Sequence, residues 1–223
     1  MPVFNEISTV ERAIEKALGA QLPVEVELVL IDDGSTDGTR EWLRSQSWPD
    51  NVHVVEHAGN HGKGAAIRTG LRHANGEFAA ILDADLEYFA EDLGTLLEPL
   101  LAGDTDAVFG VRVFDGYTSH SFLYVLGNRG VTLAANMLFN VYLADLMTCH
   151  KVIRTELFKQ LPLRCRGFDI EPEIAARLVQ RGVRIYELPV QYRARSSAEG
   201  KKLTTKDGLR VLKTLVRCRL TTS

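Results

Sequence analysis

Short apolar runs alternate with helical patterns through the first half of this chain. The runs that read as strands lie at residues 24–31, 52–56 and 78–82, and the helical patterns lie at 7–18, shortly after 36–39 and at 65–74. Such alternation predicts a mostly parallel sheet with helices on both faces, which binds ligands at the carboxyl ends of its strands. We therefore expect an α/β fold, and 223 residues suit one large domain with a substantial core.

The last of these strands ends in closely spaced carboxylates. Phe78 to Leu82 is uncharged, and Asp83 and Asp85 follow at once. Because side chains alternate along a strand, we expect both aspartates to point the same way from a buried parallel strand. Such a pair suits a hard divalent cation that in turn binds phosphate oxygens. An Asp-x-Asp pair alone also fits helix capping, so the prediction depends on the acidic end of the 24–31 strand and the Gly- and Lys-containing loop between them.

The chain opens on what looks like the end of a strand. Residues 1–6 offer only three or four positions for a strand that a sheet of this kind places at its centre. We expect either a truncated N-terminal strand or a natural start that lies upstream and makes Met1 an internal residue. In both cases Pro2 to Glu6 belong beside the ligand.

Charge is unevenly distributed, although the formal net charge is only −3. Residues 1–100 hold 18 acidic and 7 basic side chains, whereas residues 193–223 hold 9 basic and 2 acidic ones. The acidic half fits a metal site, and the basic end fits an anionic partner such as pyrophosphate or a lipid surface. A solvated basic surface explains the end of the chain equally well, and no nucleic-acid partner is expected.

Cysteine content and hydropathy favour a cytoplasmic protein. Cys149, Cys165 and Cys218 lack metal-ligand spacing, and a sparse, odd number indicates buried thiols in a reducing compartment. No stretch approaches the ~20 apolar residues of a membrane span, and no basic-then-apolar leader opens the chain. We expect any membrane contact to be peripheral, at the inner face of the membrane.

Several ordered motifs resemble those of family 2 glycosyltransferases. The nucleotide-sugar half of that family is similar to residues 2–6, 32–39, 60–64 with 68–70, and 83–87. The resemblance extends to the subgroup that transfers a sugar to a polyprenyl or dolichyl phosphate through residues 110–112, 126–129, 148–151, 168–173 and 199–202. It covers nearly the whole chain.

The resemblance implies a GT-A fold, a nucleotide-diphosphate sugar donor, Mg²⁺ or Mn²⁺ as cofactor, and inversion at the anomeric carbon. It implies hexose transfer to a prenyl-phosphate lipid, with GDP-mannose favoured over UDP-glucose as the donor. Within a single domain of residues 1–223, residues 1–110 would form the nucleotide-sugar half, 111–203 the acceptor half, and 204–223 a basic amphipathic helix. That helix could either lie on an anionic membrane or pack back on the domain.

The resemblance also assigns donor-binding roles. The predicted donor-binding residues are Pro2, Phe4, Glu6, Asp32, Asp33, Lys63, Asp83, Arg195 and Lys202. Glu6 and one of the two adjacent aspartates can accept hydrogen bonds from a base or ribose. Lys63 brings positive charge to the start of a helix, where anions bind. Asp32, Asp33 and Asp37 also fit helix capping, which we favour for Asp37.

Metal binding and catalysis are assigned in the same way. The predicted metal ligands are Asp83, Asp85 and Glu87, and the predicted catalytic residues are Asp85, Arg112 and Arg129. A lipid phosphate is already nucleophilic, so it needs alignment and charge neutralisation, which arginine forks supply. The alternative for both arginines is a salt bridge with Asp115 or Asp145, and Glu87 also fits helix capping.

Two other functions compete with lipid glycosylation. Transfer to a hydroxyl acceptor requires a general base, for which Asp145, Asp169 and Glu171 are the candidates. A nucleotide-binding module that has lost catalysis is the third hypothesis, against which the retained acidic and arginine motifs speak. His150 stands where the family pattern has an aromatic residue, and we assign it no role.

Overall fold

The computed structural model describes residues 1–112, 122–195 and 205–221, and the predicted alternation of strands and helices is confirmed there. The strands are β1 (Pro2–Val3), β2 (Leu28–Asp32), β3 (Val52–Glu56), β4 (Phe78–Ala80), β5 (Ala107–Arg112), β6 (Lys151–Arg154) and β7 (Ile185–Val190). The helices are α1 (Val10–Gly19), α2 (Thr39–Ser45), α3 (Lys63–His73), α4 (Asp92–Leu101), α5 (Phe122–Phe139), α6 (Thr155–Gln160), α7 (Ile170–Gln180) and α8 (Thr205–Leu220). The sequence patterns did not predict β6, α6 and β7, which are short and mix charged with apolar residues.

The strand pairings are mostly parallel, as expected, but they form two sheets. The first has the order β1-β2-β3 and is entirely parallel. The second has the order β4-β6-β5-β7, in which β5 and β7 are parallel while β6 is antiparallel to both of its neighbours.

Helices cover both faces of the second sheet. Val108 and Val152 belong to a buried cluster with residues of α1 and α4, whereas their neighbours Phe109 and Ile153 belong to a cluster with residues of α7 and α8. This division follows from the alternation of side chains along a strand. The sheet is therefore a packed layer that holds the loops at its edge in place.

The strand before the aspartate pair differs from the prediction. β4 ends at Ala80 and pairs antiparallel with β6, with Phe78 opposite Arg154 and Ala80 opposite Val152. The prediction of a buried parallel strand over residues 78–82 is therefore wrong in direction and in length. The physical reason is that the unpredicted β6 occupies one edge of β4, while the exposed Ala80 lines a cavity.

The N-terminal strand is short, as expected, and lies beside that cavity. The Met1 ammonium donates a hydrogen bond to the carbonyl oxygen of Val29 at 2.7 Å. The cavity of about 350 Å³ is lined by β2, β4 and α4, including Val29, Ala80 and Leu97. Burial lowers the pKa of the Met1 ammonium to about 5, because the charged form loses water there.

The C-terminal helix packs back on the domain, which was one of its two predicted positions. Val211, Leu215 and Cys218 of α8 are buried in the same cluster as α7. Across the described ranges, no helix combines the length and apolarity that crossing a membrane requires.

Candidate active site

A pocket of about 440 Å³ opens where β1, β2 and β5 end. Ten of the predicted site residues line it: Pro2, Phe4, Glu6, Asp33, Lys63, Asp83, Asp85, Glu87, Arg112 and Arg195. They come from segments distant in sequence, which meet because the strands of such a sheet deliver their following loops to one edge.

The aspartate pair lies on a turn that follows β4. Leu86, between Asp85 and Glu87, has a φ of 61°, a left-handed conformation that few non-glycine residues adopt. The backbone N–H of Glu87 donates to the Asp85 carboxylate at 3.0 Å. Burial, together with the neighbouring Asp83 and Glu87 carboxylates, raises the pKa of Asp85 to about 7. A cation beside this pair would favour its ionised form, so the donor set fits a divalent metal.

Lys63, in the first turn of α3, lies among acceptors. Its Nζ is 2.7 Å from Asp83 Oδ2, 3.1 Å from Glu171 Oε1 and 2.9 Å from Cys149 Sγ. Burial alone would lower the pKa of Lys63, but the attraction of Asp83 and the other acceptors outweighs it, and the pKa lies well above its usual value. Lys63 is therefore a charged group placed to neutralise a carboxylate or a phosphate.

The loop before α3 leaves no room for a side chain at Gly62. Gly62 has a φ of +92°, and a Cβ at this position would lie 2.3 Å from the Arg166 carbonyl oxygen. The Asp33 carboxylate accepts the backbone N–H groups of His61 at 3.0 Å and Gly62 at 2.7 Å. Asp33 thus fixes the loop, and the N-terminus of α3 is presented to the pocket.

Arg195 contacts both Glu6, a predicted donor-binding residue, and Asp85, a predicted metal ligand. Its guanidinium donates to Glu6 at 3.1 and 3.2 Å and lies 3.3 Å from Asp85. Its backbone N–H donates to Glu87 at 2.9 Å. A cation in this position can compensate these carboxylates or a bound diphosphate.

Arg112 both lines the pocket and forms the predicted alternative, a salt bridge with Asp145. The guanidinium donates to the two Asp145 oxygens at 2.7 and 2.8 Å, and Asn128 donates to the same carboxylate at 3.1 Å. Burial would raise the pKa of Asp145, but the donors outweigh it and the pKa is lowered. The guanidinium also lies 5.1 Å from the centre of the Tyr192 ring.

Two of the predicted residues that the structure describes, Asp32 and Arg129, are not among those that line the pocket. Asp32 is fully buried and forms a salt bridge with Arg40 at 2.7 Å. Arg129 is exposed on α5, and Lys202 lies outside the described residues. These placements separate Asp32 from Asp33, of which only the latter faces the pocket.

The three predicted metal ligands do not form a compact triad. Within the described part of the chain, no three His, Cys, Asp or Glu side chains are grouped closely enough to hold a metal. Glu87 accepts a hydrogen bond from the Tyr192 hydroxyl at 2.8 Å instead. Both aspartates and Glu87 line the pocket, and the Asp85 carboxylate is 3.3 Å from Arg195.

Several features in and beside the pocket were missed from the sequence. Lys151 is fully buried at the start of β6, and its Nζ lies 2.8 Å from Glu171, which therefore contacts two ammonium groups. Tyr88 and Tyr192 are buried and line the pocket. The position of Lys151 next to the apolar Val152 and Ile153 could have indicated a buried charge from the sequence. No sequence feature indicated that the two tyrosines line the pocket.

The capping role predicted for Asp37 is confirmed, and His150, to which no role was assigned, is packed in the interior. Asp37 accepts the backbone N–H of Thr39, the first residue of α2, at 3.0 Å and so caps that helix. His150 is buried and stacks on Tyr88 with 4.8 Å between ring centres. Its Nε2 lies 3.0 Å from the Phe89 carbonyl oxygen, as expected for a packed histidine.

Curated relatives are similar to most of this chain. Glycosyltransferase AglJ of Haloferax volcanii is 31% identical over 193 residues, which are 86% of this chain and 61% of AglJ. Dodecaprenyl-phosphate galacturonate synthase of Rhizobium johnstonii is 28% identical, over 90% of this chain and 60% of that protein. Undecaprenyl-phosphate mannosyltransferase of Micrococcus luteus is 24% identical, over 90% and 85%. The chain thus spans about three fifths of the length of the first two.

The fold and the family agree with the expectation. Glucosyl-3-phosphoglycerate synthase of Mycobacterium tuberculosis has the same fold, with a TM-score of 0.75 and 20% identity over 100% of this chain and 80% of that one. The profile described as glycosyl transferase family 2 matches residues 1–161, which include the aspartate pair, Lys63 and Arg112. The chain therefore belongs to glycosyl transferase family 2.

Proposed function

We propose that the chain is a metal-dependent, inverting glycosyltransferase that moves a hexose from a nucleotide-diphosphate sugar to a polyprenyl or dolichyl phosphate. The observation that carries this proposal is the mixed charge of one pocket, in which Asp83 and Asp85 lie with Lys63 and Arg112. Carboxylates suit a metal on the donor diphosphate, whereas the cations suit phosphate groups. Two relatives named for polyprenyl phosphates support the acceptor.

Asp83 and Asp85 would hold Mg²⁺ or Mn²⁺, and the metal would stabilise the charge that develops on the leaving nucleoside diphosphate. The Lys63 ammonium, now 2.7 Å from Asp83, would then be free to contact a phosphate oxygen. Glu87 would hold Arg195 and Tyr192 in place rather than bind the metal directly. Structures of the M. tuberculosis synthase with Mn²⁺ and UDP-glucose support the choice of cofactor.

The donor nucleoside would lie at the end of the pocket formed by Pro2, Phe4, Glu6 and Asp33. Glu6 and Asp33 are carboxylates that can accept hydrogen bonds from a ribose or base. Arg195 lies between this end and the metal-binding end, 3.1 Å from Glu6 and 3.3 Å from Asp85. It is therefore placed where the diphosphate would pass.

The three candidate general bases favour a phosphate acceptor over a hydroxyl. Asp145 is held by Arg112, and its pKa is lowered. Asp169 does not line the pocket and accepts a hydrogen bond from Thr214 at 3.0 Å. Glu171 is compensated by two lysines at 2.8 and 3.1 Å. A hydroxyl acceptor must lose a proton to such a base, whereas a lipid phosphate is already anionic.

GDP-mannose is the donor we favour, because the motifs resemble those of dolichyl-phosphate mannose synthases and one relative is an undecaprenyl-phosphate mannosyltransferase. UDP-glucose is the rival, which the UDP-glucose complexes of the structural neighbour support. The pocket residues named above suit either nucleotide, since they address the ribose, the diphosphate and the metal.

A donor screen tests the proposal. The purified chain is incubated with GDP-mannose, UDP-glucose or UDP-galacturonate, with Mn²⁺ or a chelator, and with dispersed farnesyl phosphate, with farnesol as a hydroxyl acceptor, or with no acceptor. We expect metal-dependent release of one nucleoside diphosphate, with an equal amount of glycosylated prenyl phosphate. Turnover only with hydroxyl acceptors would replace the lipid-phosphate assignment, and donor binding without any turnover would favour a module that lacks catalysis.

A further inference from the structure

Residues 143–146, between α5 and β6, are held in place by polar side chains of α5. Asn136 donates to the carbonyl oxygen of Leu143 and accepts its backbone N–H, both at 2.9 Å. Thr132 accepts the backbone N–H of Leu146 at 3.3 Å. These bonds fix the backbone at both ends of the segment, so it has one defined position against the helix. We call residues 143–146 the Asp145 segment.

The side chain of Asp145 is contacted from the same helix. Asn128 donates to its carboxylate at 3.1 Å. Asn128, Thr132 and Asn136 follow one another at intervals of four residues, so they lie on one stripe of α5. Asn128 and Thr132 are buried, which is costly for polar groups unless they are hydrogen-bonded. All three members of the stripe make such bonds with the Asp145 segment.

Glu187, on β7, contacts the same segment from a different element. Its two carboxylate oxygens accept the backbone N–H of Ala144 at 2.8 and 3.0 Å, and one of them also accepts the N–H of Asp145 at 3.2 Å. Burial, with the neighbouring Asp145 carboxylate, raises the pKa of Glu187 above its usual value, although these N–H donors oppose the shift. Glu187 is thus a carboxylate placed at some cost beside another one, where it pairs with the backbone that carries Asp145.

Asp145 in turn determines how the Arg112 guanidinium is oriented. Nε and Nη2 of Arg112 donate to the two Asp145 oxygens at 2.7 and 2.8 Å, and the backbone N–H of Arg112 donates to the same carboxylate at 3.3 Å. This side-on pairing turns the edge that carries Nη1 away from Asp145. The guanidinium also lies over the Tyr192 ring, 5.1 Å from its centre. The pocket residue Arg112 is therefore fixed both at an edge and at a face.

We propose that Glu187 is a positioning residue, which holds the Asp145 segment so that Asp145 keeps the Arg112 guanidinium in one orientation in the pocket. Glu187 is not among the described residues that line the pocket, so it acts through Asp145 and not on a ligand. A cation that is fixed before its ligand arrives binds an anion more tightly, because less side-chain freedom is lost on binding. The inference deepens the proposed function, on which the identity of that anion as the acceptor phosphate rests.

The variant Glu187→Gln tests the proposal through binding of farnesyl phosphate, measured by calorimetry without donor. Glutamine keeps the size of the side chain but has only one oxygen with which to accept the N–H groups of Ala144 and Asp145. We expect the Kd for farnesyl phosphate to rise by about three- to tenfold, while donor affinity with Mn²⁺ is nearly unchanged. Glu98→Gln is the matched control, since Glu98 is exposed on α4, and it should leave both affinities unchanged.

Two further measurements separate positioning from a general loss of stability. In the Arg112→Lys background, Glu187→Gln should cause no further loss of farnesyl phosphate binding, because residues that act as one unit are not additive. The NMR resonance of the Arg112 Nε–H group, identified as the signal that Arg112→Lys removes, should move in Glu187→Gln and stay in place in Glu98→Gln. Asn136→Ala releases the Asp145 segment from α5 and should give the same results as Glu187→Gln, so it serves if the latter does not fold.

Farnesyl phosphate binding that is unchanged in both Glu187→Gln and Asn136→Ala would overturn the proposal. So would a loss that is as large in the Arg112→Lys background as in the wild type, or an Arg112 resonance that does not move. If the wild type binds no farnesyl phosphate, the proposed acceptor is rejected, and movement of the resonance would still uphold Glu187 as the residue that positions Arg112.

Discussion

At the scale of single residues, the pocket is a set of buried charges that compensate one another. Lys63 contacts Asp83 and Glu171, and Arg112 contacts Asp145. Asp85 is less well compensated, because its nearest cation, Arg195, is 3.3 Å away and two carboxylates lie close by. Substitution of a well-paired residue such as Arg112 should therefore lower stability, whereas substitution of Asp85 should mainly affect ligand binding.

Asp85→Asn should abolish transfer and sharply weaken metal-dependent donor binding while leaving the fold intact. The substitution removes an oxygen that we propose binds the metal, together with a charge that Asp83 and Glu87 repel. Calorimetric titration of the donor with Mn²⁺ measures the effect, and the exposed Asp50→Asn is the matched control. Metal-dependent binding that is unchanged in Asp85→Asn would remove Asp85 from the site.

Arg112→Ala and Arg129→Ala should both impair use of prenyl phosphate but differ in stability. Each lost charge-assisted bond to phosphate costs about 1.5–3 kcal/mol, which appears as a higher KM or lower kcat with donor affinity nearly preserved. Arg112→Ala also leaves the buried Asp145 unpaired, which should lower the free energy of unfolding by about 3–5 kcal/mol. The exposed Arg129→Ala should change it by less than about 0.5 kcal/mol.

Denaturant melts and initial rates distinguish these effects. A fall in donor affinity as large as the loss of acceptor use would assign the arginines to the diphosphate. Full stability of Arg112→Ala would show that its ion pair with Asp145 contributes little.

At the scale of elements, β1 and β4 border an unfilled space. β1 pairs with β2 through Pro2 and Val3 only, and the cavity of about 350 Å³ lies between β2 and β4. The Met1 ammonium is buried beside this apolar space, and the contact described for it is a hydrogen bond to the Val29 carbonyl oxygen. This is unfavourable, because the charged group loses its hydration and no carboxylate at hydrogen-bond distance is described for it.

Adding a short Val- and Ile-rich segment before Met1 should stabilise the fold by extending β1 into this space. The extension would pair backbone groups, fill apolar volume and move the ammonium away from Val29. Thermal melts of the two chains compare their stabilities, with a Gly- and Ser-rich extension of equal length as the control. Equal melting temperatures and equal donor affinities would show that the two-residue strand suffices.

The same pair of chains should differ in pH dependence. The Met1 ammonium has a pKa of about 5 in the fold against a usual value of 8.0. Between these values the unfolded chain holds a proton that the folded chain lacks, so this group makes stability rise with pH across that window. The apolar extension should flatten that rise, and urea melts at several pH values between these limits measure it. An unchanged slope would mean that the ammonium is not the group responsible.

At the scale of the whole molecule, one pocket joins the two sheets. Asp33 follows β2 of the first sheet, and Arg112 ends β5 of the second, yet both line the same space. The acidic first hundred residues and the basic end of the chain therefore both contribute side chains to this pocket, the site that we propose for an anion and its metal. A ligand that contacts residues of both sheets should raise the stability of both sheets at once.

The chain should therefore melt in a single cooperative transition as one domain, and donor with Mn²⁺ should raise its midpoint. Ligand at a hundred times its Kd adds about 2.7 kcal/mol to the free energy of unfolding. Calorimetry measures the transition, with Asp85→Asn as the chain that should not respond. Two separate transitions, of which only one shifts with ligand, would instead indicate two independent units.

The sequence by itself determined most of the elements and most of the charged residues of the pocket. Hydrophobic periodicity is local, so it located helices such as α1 and α3 and the strand Val52–Glu56 without knowledge of their neighbours. The ordered motifs likewise identified Glu6, Lys63, Asp83 and Arg195, because residue type and spacing are written along the chain.

Only the tertiary structure decided what depends on contacts between distant segments. The direction of β4 was set by β6, about seventy residues later. The structure pairs the buried Asp32 with Arg40 while Asp33 lines the pocket, and it pairs the buried Lys151 with Glu171. Pairing and charge compensation are through-space interactions between residues far apart in sequence, so a local pattern can name the participants but not their partners.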